Sequence, residues 1–304
     1  MTKEMSLLTR RTFMSFLAAT PFLNLLGSAQ GKAPLFEIGI ADFVMHGQMK
    51  TEVANIVVQA MADVFAIPGK PKPTFQFGGP MVLGGRLQKH DIHLAIMTGI
   101  EYAWISSSFP ELVPLVTAFT SDIRLKACIV VPTESKAESF SHLKGQSIVL
   151  PKRLQHFPLL YLQQEILEQG VEPKNYFSRI LLTNDTDEGI ETVVDKKASG
   201  ILVDSESWKV YQERKPGRAK KLKVIDESDS FPTSAVLYHP QAWAAADLKL
   251  VSDVLCTAHT RPFTRQILNF WRISKFIPYS HEYQTVVKDI LNEMPKPMMP
   301  FAPG

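Results

Sequence analysis

Short apolar runs and helix-spaced segments alternate along this chain, stop alternating near residue 120 and then begin again, a pattern that few architectures satisfy. Phe36, Ile38 and Ile40 alternate with smaller or polar residues, the period of a half-buried strand spanning 35–41. A loop with Asp42, Phe43 and His46 follows, and then Val53, Ile56, Val57, Ala60, Met61 and Val64 take helical spacing. Prolines from Pro68 to Pro73 end that helix, Thr74-Phe75-Gln76-Phe77 reads as a second strand, and Gly78-Gly79-Pro80 closes it. A short helix through Leu83 and Leu87 leads to a third strand over 92–97 and to Thr98-Gly99-Ile100-Glu101-Tyr102. Such alternation predicts an α/β unit with a mainly parallel sheet flanked by helices.

The second unit opens with a strand from Leu125 to Pro132 and another through Ile148-Val149-Leu150. Pro158 suits the first position of a helix that runs to Glu168 and that Gly170 terminates. Ile180 to Thr183, a helix near Glu188 to Lys196, and Gly200-Ile201-Leu202-Val203-Asp204 continue the alternation. The basic run from Arg214 to Lys223 reads as a solvated surface before a strand at Leu222 to Ile225. A further strand, Ser234 to Tyr238, is followed in this reading only by helices, and the proline-rich tail 295–304 is expected to be disordered.

Ahead of all this stand Arg10-Arg11, an uncharged apolar run from Phe13 to Leu26, and the small residues Gly27-Ser28-Ala29. That anatomy predicts a twin-arginine-type signal peptide over 1–29 and a mature protein in the periplasm. The run is shorter than the roughly 20 residues a membrane-crossing helix needs. With 45% hydrophobic and 21% charged residues the chain reads as a folded globular protein. Its formal charge of +3 falls when the leader is removed, which argues against nucleic acid as a partner. Cys128 lies in an apolar strand and Cys256 on a helix, so both read as buried structural thiols, with no disulfide framework.

Several stretches in one order resemble the type II periplasmic binding proteins of phosphate, phosphite and phosphonate importers. They are Ile38 to Phe43, Asp91 to Tyr102, Leu143 to Val149, Gln169 to Pro173, Ala198 to Asp204 and Phe231 to Val236, which together span nearly the whole mature chain. The resemblance implies two α/β lobes joined by two crossing strands, with a small ligand held in the cleft and closure upon binding. Lobe 1 would comprise residues 33–120 plus 230–300, and lobe 2 residues 121–229.

The resemblance also carries site residues over. An aromatic after the first strand falls at Phe43, a tyrosine after the third at Tyr102, a loop histidine at Thr186, and an acidic residue at Asp204. Three hydroxyls that hold an anion at the start of a lobe 2 helix fall at Gln155-His156-Phe157, where no hydroxyl occurs. His93 replaces the usual acidic residue before the third strand's apolar core. Position after predicted strands adds Asp42 and Thr98 to the cleft, and Arg153 or His156 is expected to take over the anion.

Catalysis finds no support in the sequence. His90 and His93 point to opposite faces of a strand, no G-x-S-x-G elbow occurs, and Gly78-Gly79 and Gly84-Gly85 are too sparse for a phosphate loop. No cofactor or metal is expected. The resemblance leaves two functions open for a monomer: delivery of a small, anionic ligand to an ABC importer permease, or sensing of an oxyanion or arsenite for a membrane histidine kinase. The metalloid option would use Cys128 as a thiolate.

Overall fold

The computed structural model describes residues 36–45, 51–69, 71–152 and 154–294. The expected signal peptide, the expected disordered tail, His46 and Arg153 lie outside the described residues, as does the side chain of Phe43. Two mixed α/β lobes are present, each a sheet flanked by helices. Among the described residues no helix is long and apolar enough to cross a membrane.

The first sheet begins with three parallel strands: β1 (Glu37–Ala41), β2 (Thr74–Gly78) and β3 (Leu94–Met97). They are linked by helices α1 (Thr51–Val64) and α2 (Pro80–Gln88), with α3 (Gly99–Ser106) leaving β3. Strand β4 (Val113–Phe119) then leads through a two-residue strand, β5 (Arg124–Leu125), into the second sheet. There β6 (Ala127–Pro132), β7 (Ser147–Pro151), β8 (Arg179–Thr183), β9 (Gly200–Asp204) and β10 (Leu222–Glu227) assemble in the order β10-β6-β9-β7-β8. Their connecting helices are α4 (His156–Glu168), α5 (Thr186–Val194), α6 (Ser205–Arg214) and the short α7 (Pro216–Ala219).

The chain returns through β11 (Phe231–Pro232), antiparallel to β5, so that two crossing strands lie side by side between the lobes. It then adds β12 (Ala235–Tyr238), α8 (Ala245–Cys256), α9 (Pro262–Phe270), β13 (Lys275–Pro278) and α10 (His281–Glu293) to the first lobe, whose strand order is β13-β4-β12-β3-β1-β2.

Each sheet keeps a parallel run and adds antiparallel strands to it. The crossings are the reason: β6 and β12 each enter their sheet from the other lobe, and β12 runs antiparallel to β3 and β4 as β6 does to β9 and β10. Two strands depart from the sequence expectation. β4 carries Pro114, which lacks an amide hydrogen, and the sheet accommodates it beside a register shift between Val236 and Leu237. β13 contradicts the expectation of helices only after Tyr238. It is an edge strand with Lys275 and Pro278 exposed and Phe276 buried, a composition that reads as loop until β4 supplies a partner.

Helix α4 begins at His156 rather than Pro158, so the proline sits at the third helical position. Its missing N–H is harmless there, because the first-turn amides have no intrahelical acceptor. Gly170, at φ 68°, supplies the left-handed residue that ends the helix as expected.

Candidate functional site

A cavity of about 90 Å³ lies between the lobes, beside the crossing strands. The end of β3 contributes Thr98, the segment after β11 contributes Thr233 and Ser234, and the start of α4 contributes Gln155, His156 and Phe157 from the second lobe. Its remaining walls are largely carbon: Met61, Val64 and Phe65 at the end of α1, Leu268 of α9, Trp271, Ile273 and Phe276. Phe157 and Phe231 meet across the lobe boundary with ring centroids 5.0 Å apart, tying the α4 start to a crossing strand. Among the described residues, no Asp, Glu, Lys or Arg lines this cavity.

The two helix starts at the cleft differ. Thr98 caps α3 in a capping box: Glu101 N–H donates to Thr98 Oγ1, while the Glu101 carboxylate accepts from Thr98 N at 2.9 Å and from its hydroxyl at 2.8 Å. Glu101 is fully buried, and its carboxyl takes up the Thr98 N–H and hydroxyl at the positive end of α3. At α4 the N-cap Gln155 is extended, with φ −62° and ψ 162°, and makes no side-chain cap. Pro158 at the third position has no N–H, so the first-turn amides that lie outside the helix's own hydrogen bonding are those of His156 and Phe157.

Most of the cavity's hydroxyls are engaged elsewhere. Thr120 donates to Arg272 O at 2.8 Å, Thr233 to Ala118 O at 2.7 Å, and Thr98 to Glu101. Gln155, His156 and Ser234 complete the polar lining.

Of the residues expected at the site, the fold brings Thr98, Gln155 and His156 to this cavity, and Asp42, Tyr102, Thr186 and Asp204 are not among its lining. Asp42 is exposed at the start of a 3-10 turn, Asp42–Met45. Tyr102 is buried in α3, where desolvation and the neighbouring Tyr279 push it up to about 12. Thr186 is buried at the first position of α5.

Asp204 is almost wholly buried at the end of β9. Its carboxylate accepts from Ser207 N at 2.8 Å, from the Ser207 hydroxyl at 2.7 Å and from Arg272 Nη1 at 3.0 Å. Arg272 belongs to the first lobe, so this pair clasps the two lobes together. Its φ of 57° and the bond from its N–H to Asn269 O mark the left-handed turn that ends α9. Trp271 and Ile273, on either side of it, line the cavity.

His93 has a structural setting. Its Nδ1 accepts from Glu37 N at 3.2 Å and its ring meets Phe36 and Trp243 edge-on. Burial lowers its pKa below the ordinary value, against the opposing pull of Glu37. The unfolded chain therefore takes up this proton at a higher pH than the folded one, and the associated stability is lost as pH falls through about 6.5 and below. His93→Gln keeps an acceptor but cannot titrate, so its melting temperature should fall less steeply than the native protein's between about pH 7 and pH 5. Parallel slopes would rule this out.

Cys128 is buried, and desolvation with the nearby Glu227 and Asp204 raises its thiol to about 12. It remains a protonated thiol at neutral pH, which disfavours metalloid capture by a thiolate. Cys256 is partly buried and both cysteines are free. Among the described residues no cluster of His, Cys, Asp and Glu could hold a metal ion.

Comparison with known proteins follows the same lines. The family model for the periplasmic substrate-binding protein of phosphonate ABC transporters matches residues 82–283, well over half of the chain. No curated protein matches it. Among solved structures, a Prochlorococcus marinus protein in complex with methylphosphonate superposes with a TM-score of 0.55 at 13% identity, over 86% of this chain and 98% of that one. A Xanthomonas citri protein bound to ATP gives 0.53 at 14% identity, over 85% and 96% of the two chains. A binding protein component of a Pseudomonas aeruginosa ABC phosphonate transporter gives 0.51 at 13%, over 85% and 86%. At such identities the likeness establishes the fold.

Proposed function

The chain belongs to the family of periplasmic substrate-binding proteins of phosphonate ABC transporters, and from that premise we propose that it captures a small organic anion between its lobes and delivers it to an ABC importer. The observation that carries this reading is the cavity itself, which draws residues from both lobes and from the crossing strands and opens onto the uncapped start of α4. A ligand there touches both lobes at once, so it favours the closed arrangement by its differential affinity for it. Gln155, the α4 amides, His156 and Arg153 receive the acid group. Delivery is preferred to signalling through a kinase because the family is one of transporter components. The paired arginines at 10 and 11 fit export of the folded protein to the periplasm.

The test is native mass spectrometry of protein taken from its own periplasm, followed by calorimetry with the anion identified. Arg153→Ala should weaken binding by about 2 to 5 kcal/mol, and Gln155→Ala by about 1 kcal/mol, with unliganded melting temperatures nearly unchanged. Scattering should show compaction at saturation. A bound neutral molecule, or an unchanged radius, would overturn the proposal.

A further inference from the structure

The two lobes line the cavity unequally, and the inequality speaks to ligand class. The second-lobe side presents Gln155 and His156 at the start of α4. On the first-lobe side the ends of α1 and α9 and the chain through β13 form an apolar recess of Phe65, Leu268, Trp271, Ile273 and Phe276, beside the polar Thr98 and Ser234. The hydroxyls of Thr120 and Thr233, which line the same cavity, already donate to main-chain carbonyls. No carboxylate among the described residues lines it, so the recess offers an ammonium group no counter-charge.

Resting on the function proposed above and deepening it, we propose that the ligand is an organic acid with an unsubstituted hydrocarbon tail. The tail fills the recess of the first lobe and the acid group stays at the start of α4. An inorganic oxyanion would leave the carbon walls facing water or a void, and neither compensates for the desolvation of the charge. An amino-bearing tail would place a second, unpaired charge in apolar surroundings. Size sets the other limit. The cavity, at about 90 Å³, is smaller than the roughly 150 Å³ apolar cavity known to accept benzene, so the tail is short.

Calorimetry of the full mature chain tests this with inorganic phosphate, methyl-, ethyl-, propyl- and pentylphosphonate, aminoethylphosphonate, propanesulfonate and butyrate. Affinity should rise about fourfold for each added methylene until the recess is full, and then fall. Aminoethylphosphonate should bind at least about 30-fold more weakly than propylphosphonate, which has nearly its shape. Ile273→Val, a mild substitution that keeps the wall apolar, should move the preferred tail to a longer member, and Leu268→Ala should do so more strongly. The melting temperature of each variant reports whether it is folded.

If inorganic phosphate or aminoethylphosphonate binds as tightly as the best alkyl member, the tail assignment is overturned while the proposed receptor function stands. If no phosphonate, sulfonate or carboxylate of the series binds the native protein, the anion-receptor reading itself is overturned. The three acid groups in the series show which one the α4 end prefers.

Discussion

Gly99→Ala is expected to destabilise the protein by about 2 to 4 kcal/mol, although it adds only one methyl group. A Cβ at Gly99 would lie 2.2 Å from Pro232 O and 2.6 Å from Pro232 C, where real Cβ contacts essentially never fall. The obstruction is main chain, so no rotamer relieves it. Neither partner is free to retreat: Pro232 is held in β11 by its pairing with β5, and α3 is anchored by the Thr98–Glu101 box and by the burial of Ile100, Ala103 and Ile105. The strain therefore falls on the crossing strands, and the relative setting of the lobes should change with stability. Urea unfolding and scattering of the unliganded variant read the two effects. Gly217→Ala is the control: it meets nothing within 4 Å and lies in a helix, so it should be neutral or stabilising by up to about 1 kcal/mol. Equal urea midpoints for Gly99→Ala and native protein would contradict the packing described for α3.

Asp204→Ala should have an effect of similar size, about 2 to 4 kcal/mol, by a different route. It removes the N-cap of α6, about 1 kcal/mol, and leaves the Arg272 guanidinium without the buried carboxylate it faces. Arg272 remains about one-third exposed, at 36% of its side chain, which keeps the loss below that of a fully buried pair. Asp204→Asn retains a capping oxygen but not the charge and should recover roughly 1 kcal/mol of the loss. Because the two residues sit on different lobes, Arg272→Met should loosen the closed arrangement even where α6 is intact. A double-mutant cycle on Asp204→Asn and Arg272→Met should give a coupling of about 1 to 2 kcal/mol. Simple additivity would remove the clasp.

The strands rich in β-branched residues were legible from the sequence, because alternation such as Phe36, Ile38, Ile40 is imposed by the pleat itself. β4 and β13 were not legible: Pro114 and Pro278 argue locally for loops, and only the neighbouring strands make these segments part of a sheet. Of the cavity's lining, Thr98 was legible as the residue after a strand, where α/β proteins face their clefts, whereas Gln155 and His156 came from the family resemblance. The aromatic walls could not. Phe65, Phe231, Trp271 and Phe276 come from separated elements, and each alone reads as ordinary core. Nor does any local signal pair Asp204 with Arg272, 68 residues away in the chain.

The fully buried carboxylate of Glu101 gives the capture of an anion a direction. With the start of α3 already capped by Glu101, an anion arriving at the proposed site meets, among the described residues that line the cavity, one helix start without a side-chain cap, that of α4 in the second lobe. On the proposed function, the second lobe is then the landing stage and the first lobe the door. Landing sets the association rate and its salt dependence, and the door, with its carbon lining and Arg272 clasp, sets how long the ligand stays.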